Sequence, residues 1–134
     1  MAMCRFSRGE KRTRVELSAF RMGYDIVVSI HNENAHIGAV AIGEYEHNEK
    51  RASTSVITRL GHKDDVIAQQ IAHLLAKHFR RAVCVVAGVH LDNITNDEIQ
   101  QIIKNVGLLG NDLIANEGGL ISPRESMKKA TIKE

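Results

Sequence analysis

The segment Thr58-Arg59-Leu60-Gly61-His62-Lys63-Asp64-Asp65 gathers a glycine, a histidine, a lysine and two carboxylates. An apolar, β-branched run precedes it and a helical apolar period follows, so the cluster falls where a strand becomes a helix. Peptide N–H groups at a helix start are unpaired and the helix dipole favours negative charge there. Lys63 adds a point charge, and His62 adds a ring donor. No glycine stands six residues before Lys63, so the phosphate-loop spacing is absent, as is the dinucleotide fingerprint. The segment alone specifies an anionic ligand. Asp64 also has a plainer reading as a helix cap, and Gly61 as a source of backbone freedom.

Other chemistry-bearing residues lie far away in the chain, and only the fold can bring them near. Val15, Leu17 and Ala19 alternate with polar neighbours over residues 13–21, which predicts a strand. Met22-Gly23 can reverse the chain, and residues 24–30 form a second strand with Ile26, Val28 and Ile30 on one face. Asn32 to Ala35 reads as a turn, and His36 to Tyr45 as a third strand. Its small residues Gly38, Ala39 and Ala41 imply close packing. Ala52 to Thr58 is a fourth strand.

Residues 64–80 carry Ile67, Ile71, Leu74, Leu75 and Phe79 at helical spacing. The continuous apolar run 82–89 predicts a buried strand, within which Cys84 reads as a buried thiol. Thr95-Asn96-Asp97-Glu98 is a capping box opening a second helix, which Gly107 and Gly110 are expected to bend or interrupt. The order is ββββαβα. Short links imply an antiparallel meander, and a strand–helix–strand crossover makes the last two strands parallel. The fold class is α+β: a two-layer sandwich on a mixed β-sheet with two main helices. Residues 1–12 read as a basic tail, 13–117 as a single domain and 118–134 as a C-terminal tail. There are no repeats.

This connectivity sends four histidines to one rim of the sheet: His31, His36, His62 and His90. Asn32, Asn34, Lys63, Asp64, Asp92 and Asn93 share it, with Gly88 beside His90. Open α/β sheets bind ligands beyond the carboxyl ends of their strands. Ser53 and Ser55, on one face of the fourth strand, would extend a polar wall down from the rim. Three chemistries fit: phosphate binding, a transition-metal site built from imidazoles and Asp92, and acid–base catalysis by His90 with Asp92 or His62 with Asp64. No HxH or HExxH spacing occurs, and no serine sits in a glycine elbow. Asp92 and Asn93 also have a plain reading as turn residues.

Composition narrows the partners. The chain has 134 residues, enough to bury roughly two-thirds of its unfolded surface without metal or disulfide staples. Eighteen basic residues nearly balance sixteen acidic ones, for a net charge of +2, and aromatics are 4%. Nucleic-acid binding would need a stronger basic excess or a stacking platform. Two distant cysteines, no apolar signal core and no run near the roughly 20 apolar residues of a membrane span predict a cytoplasmic protein.

Three motifs in combination resemble one family: His36-Ile37-Gly38-Ala39-Val40-Ala41; Ser53-Thr54-Ser55-Val56 running into Gly61-His62-Lys63-Asp64-Asp65; and Ala87-Gly88-Val89-His90-Leu91-Asp92-Asn93-Ile94-Thr95. The sequence is similar to the small archaeal and bacterial proteins grouped with the D-type accessory subunit of gallate-type decarboxylases, a prenylated-flavin chaperone-like family. The similarity runs from residue 13 to about residue 115. It implies a non-catalytic protein that binds prenylated flavin mononucleotide, or FMN itself, and delivers it to a prenyl-flavin-dependent decarboxylase. A small domain with a polar rim is also expected to form a homo-oligomer and to bind its ligand across the interface. The expected cofactor-binding residues are His36, Gly38, Ser53, Ser55, Gly61, His62, Lys63, Asp64, Gly88, His90, Asp92 and Asn93, with no catalytic residue and no metal ligand. The alternatives are a small metal- or phosphate-dependent enzyme using the His/Asp rim, and a structural interaction subunit.

Overall fold

In a computed structural model, residues 3–59, 64–122 and 125 are described. Six strands form one mixed sheet: β1 (Met3–Arg8), β2 (Val15–Met22), β3 (Asp25–His31), β4 (Ala39–Glu46), β5 (Arg51–Thr58) and β6 (Val83–Gly88). Two helices, α1 (Asp65–Phe79) and α2 (Asn96–Ala115), cover one face. The α+β two-layer class expected from the sequence is the one observed.

The order across the sheet is β1-β2-β3-β6-β4-β5. This departs from a simple meander. β6 lies between β3 and β4, parallel to β3 and antiparallel to β4. Its run of Val83, Cys84, Val85, Val86 and Ala87 is apolar on both faces, which suits a central position. The connection from His31 to Ala39 is too long for a tight hairpin and lets β4 step over the gap. Strand directions are unchanged by the insertion, so the rim argument survives it.

Residues 3–8 are not a tail. Cys4 and Phe6 face the helices while Arg5 and Ser7 face away, and the strand pairs antiparallel with β2 along its whole length. Charge counting hid this alternation. Both thiols consequently differ from expectation. Cys4 is buried, and Cys84 is half-buried on the uncovered face. Burial raises both thiol pKa values. The C-terminal segment also joins the core, because Leu120 and Ile121 are buried and Glu125 pairs with Arg21 at 2.7 Å.

The core lies between the sheet and the helices, around Leu17, Ile30, Ile71, Leu75, Phe79, Val85 and Leu109. α2 runs through both glycines without a break. At Gly110 a Cβ would crowd Ile71 and Leu74, so the glycine lets α2 approach α1 closely. The capping box at Thr95 and Glu98 forms as expected. No helix among the described residues is long and apolar enough to cross a membrane.

Candidate functional site

β3 and β6 end, β4 begins and β5 ends on the same side of the sheet. That rim receives His31, His36 and His90, as the sequence predicts. The rings of His36 and His90 stand 5.9 Å apart between centroids. Gly61, His62 and Lys63 fall outside the described residues.

Two buried polar side chains build the rim. Asn32 donates from Nδ2 to the His90 carbonyl at 2.8 Å and accepts from the His90 amide at 3.1 Å. Its amide thus stands in for a strand neighbour and fixes the β6–α2 loop to the β3–β4 loop. Asp64, also buried, accepts from the Val89 amide at 3.2 Å. It makes no side-chain cap to α1; it ties the start of that helix to the end of β6.

Both rim glycines are needed for close approach. A Cβ at Gly38 would strike the Asp64 carboxylate, and one at Gly88 would strike the His36 carbonyl oxygen. Arg59 donates to the Ile37 carbonyl at 2.8 Å, and its amide donates to Gly38 at 2.8 Å, which seals this side. The expected residues His36, Gly38, Asp64 and Gly88 therefore form a packed shoulder.

The open space lies beside that shoulder. A cleft of about 730 Å³ is bounded by Asn32, Glu33 and Asn34 on one side and His90, Leu91 and Asp92 on another. Its third wall is Lys11, Arg12, Arg14 and Glu16. None of these basic residues was among the expected site residues: Lys11 and Arg12 fell in the tail assigned to residues 1–12, and Arg14 in the first expected strand. Gly9 was the available sign of a turn inside the basic run, and it does adopt a positive φ of 91, followed by Lys11 at φ 53. Ser53 and Ser55 are exposed on the edge strand, pointing away from the helices, and do not line the cleft.

The basic wall is held from behind. Arg12 bonds Glu98 at 2.7 Å and the Asp92 carbonyl at 2.8 Å. The Arg12 guanidinium, aided by the Thr95 amide, lowers the Glu98 pKa to about 2. Buried Asn105 donates to the Thr13 carbonyl at 2.9 Å. Arg12 is thus committed to the scaffold, while Lys11 is exposed at the cleft wall and Arg14, also exposed, donates to Ser7 at 3.2 Å and lies 3.8 Å from Glu16. His90 Nε2 lies 3.0 Å from Asp92 Oδ1, a geometry able to relay a proton. Asn93 has φ 54 and serves the turn between them and α2. Among the described residues no three His, Cys, Asp or Glu side chains come together as a metal site.

A mixed sheet with two helices on one face and a polar cleft at its strand ends defines a protein of the α+β class. Residues 9–117 match the family model described as the prenylated flavin chaperone LpdD-like domain, and the chain belongs to that family. No functionally curated protein matches it. Among solved structures it is similar to a chain from the crystal structure of a novel chaperone complex for yeast 20S proteasome assembly. That match has 15% identity and a TM-score of 0.56, and covers 90% of this chain and 99% of the other. At that identity the likeness concerns the fold alone.

Proposed function

We propose that this protein binds prenylated flavin mononucleotide in the rim cleft and delivers it to a prenyl-flavin-dependent decarboxylase, without catalysing decarboxylation itself. The observation that carries this reading is the cleft of about 730 Å³ between the Lys11–Arg14 turn and the His90–Asp92 loop, in a chain of the prenylated-flavin chaperone family. Its volume falls in the range of roughly 300–1,000 Å³ usual for small-molecule sites. The donor set suits the cofactor. Lys11 and Arg14 offer cations for its phosphate, and Asn34 and His90 offer polar edges for a flavin ring system. An exposed cleft rather than a closed cavity suits a carrier that must release its cargo.

The test is titration of the purified protein with prenylated flavin mononucleotide, followed by flavin absorbance and fluorescence. Saturable one-to-one binding is expected. Lys11→Ala and Arg14→Ala should each weaken it about tenfold, as loss of one charge-assisted hydrogen bond does. Lys63→Ala tests the neighbouring loop in the same assay. The phosphate-free flavin should bind more weakly than the mononucleotide. No binding at any concentration, or equal binding with and without the phosphate, would overturn the reading. Adding apo-decarboxylase to the loaded protein should then restore decarboxylase activity faster than free cofactor does.

A further inference from the structure

The helices cover one face of the sheet and leave the other open, and the strand register shows what lies there. One row crosses all six strands as Met3, Phe20, Val27, Cys84, Ile42 and Ser55. The next row, two residues towards the rim, is Arg5, Ser18, Ser29, Val86, Val40 and Ile57. Apolar groups dominate the middle of the face and extend to both edges, where Met3 on β1 and Ile57 on β5 are exposed by 54% and 74%, with Ile42 on β4 exposed by 46%. An antiparallel or mixed sheet open to water on one side normally alternates to polar residues there. Here the central strands present Val27, Cys84, Val86, Val40 and Ile42 instead.

We infer that this open face is the dimer interface, on which a second copy of the chain packs sheet to sheet. Area is the first argument. Six strands at about 4.8 Å spacing and about 20–25 Å long project on the order of 600 Å². With side-chain relief this approaches the about 800 Å² that each partner of a stable complex buries. Shape is the second. A two-fold axis perpendicular to the strands and midway between the two rows lays each strand on its own copy and each row on the other. Phe20 then meets Ser18, and Ile57 meets Ser55, so a large side chain faces a small one across the interface. Val86 meets Cys84 and Val40 meets Ile42, closing an apolar centre at both copies of β6 and β4. In the flanking rows His31 comes to face Asp25, a pairing of ring N–H donor and carboxylate acceptor. Such self-complementarity is what an isologous contact requires and what an unrelated partner would not need. At the row ends Arg5 meets Met3 on one edge of the sheet and Ile57 meets Ser55 on the other.

The inference does not rest on what the rim cleft binds. Sedimentation equilibrium of the wild-type chain should give twice its 14.9 kDa mass at micromolar concentration. Ile42→Glu and Ile57→Lys should each raise the dimer dissociation constant at least about a hundredfold, since each buries an unpaired charge at the contact. Circular dichroism should remain that of the wild type. Ile57 is so exposed that its replacement cannot empty the core, so this variant decides the matter if Ile42→Glu fails to fold. Cys84 supplies a second readout: it should react slowly with iodoacetamide in the dimer and several-fold faster in folded Ile57→Lys. A wild-type monomer at all concentrations would overturn the inference. So would a folded Ile57→Lys that stays dimeric with Cys84 protected. A wild-type monomer that gains mass only with a decarboxylase would give this face to that enzyme and overturn the inference as well.

Discussion

The side-chain amide of Asn32 makes both available backbone hydrogen bonds of His90, donating to its carbonyl at 2.8 Å and accepting from its amide at 3.1 Å. Asn32 is buried, so neither bond competes with bulk water. Asn32→Ala should cost about 1–3 kcal/mol, because two buried backbone groups lose their partner. Cofactor affinity should fall as the 89–95 loop loosens. Urea denaturation and flavin titration of the same variant check the two effects. Stability within a few tenths of a kcal/mol of wild type would show that the clamp does not hold the loop.

The rim glycines should tolerate no side chain. Gly88→Ala drives a Cβ into the His36 carbonyl, which is backbone and cannot rotate away. Overpacking of this kind costs about 1–3 kcal/mol. Gly38→Ala strikes the Asp64 carboxylate and should release it from the Val89 amide. Amide hydrogen exchange at Val89 should then speed up, and unchanged exchange there would refute the proposed collision.

Acid should weaken the wall behind the cleft. Arg12 first, and the Thr95 amide second, hold the Glu98 pKa at about 2. The folded value lies below the unfolded carboxyl value near 4.3. The contribution of Glu98 is therefore full above the unfolded value and is lost as pH falls towards about 2. Glu125, held at about 2 chiefly by Arg21, has the same sign. Thermal melts from about pH 6 down to about pH 2 should show Tm falling through this window. Glu98→Gln should have a lower Tm at neutral pH and a shallower acid decline. A decline as steep as that of wild type would place the acid sensitivity elsewhere.

Asn105 links the basic turn to α2. Its amide donates to the Thr13 carbonyl and accepts from Gln101 at 3.0 Å. Asn105→Ala should destabilise by about 1–3 kcal/mol and lower the urea midpoint without changing the m-value. Since the turn carries Lys11 and Arg14, flavin affinity should fall with it. A changed midpoint with intact affinity would show that the turn keeps its shape without this support.

Strands with clean two-residue alternation and helices with capped ends were legible from residues alone. β2, with Val15, Leu17 and Ala19 inward, is one example, and α2 behind its Thr95–Glu98 box is another. The shared rim of His31, His36 and His90 was legible because it depends on strand direction, which short links constrain. The neighbour of β3 was not, since β6 lies more than fifty residues away in sequence and pairs with it only through long-range packing. β1 was hidden because Arg5 and Arg8 dominate a short strand whose inward apolar positions are only Cys4 and Phe6; the third inward residue, Arg8, reaches Asp112 of α2. The same misreading removed Lys11 from the candidate site. Ser53 and Ser55 were drawn in because a motif in sequence carries no information about which face of an edge strand looks at the cleft.

The insertion of β6 also sets an order of assembly. β1, β2 and β3 can pair as one antiparallel unit, and β4 with β5 as another, each from residues close in sequence. Neither unit touches the other along a strand until β6 arrives to fill the gap. During synthesis, the inner edges of β3 and β4 thus stay unpaired until residue 88 has left the ribosome, and each is open to mispairing. Joining the halves is then the step with the largest loop to close, so it should limit the folding rate. Pulse-labelled hydrogen exchange should show β3 and β6 gaining protection together, later than the β4–β5 hairpin.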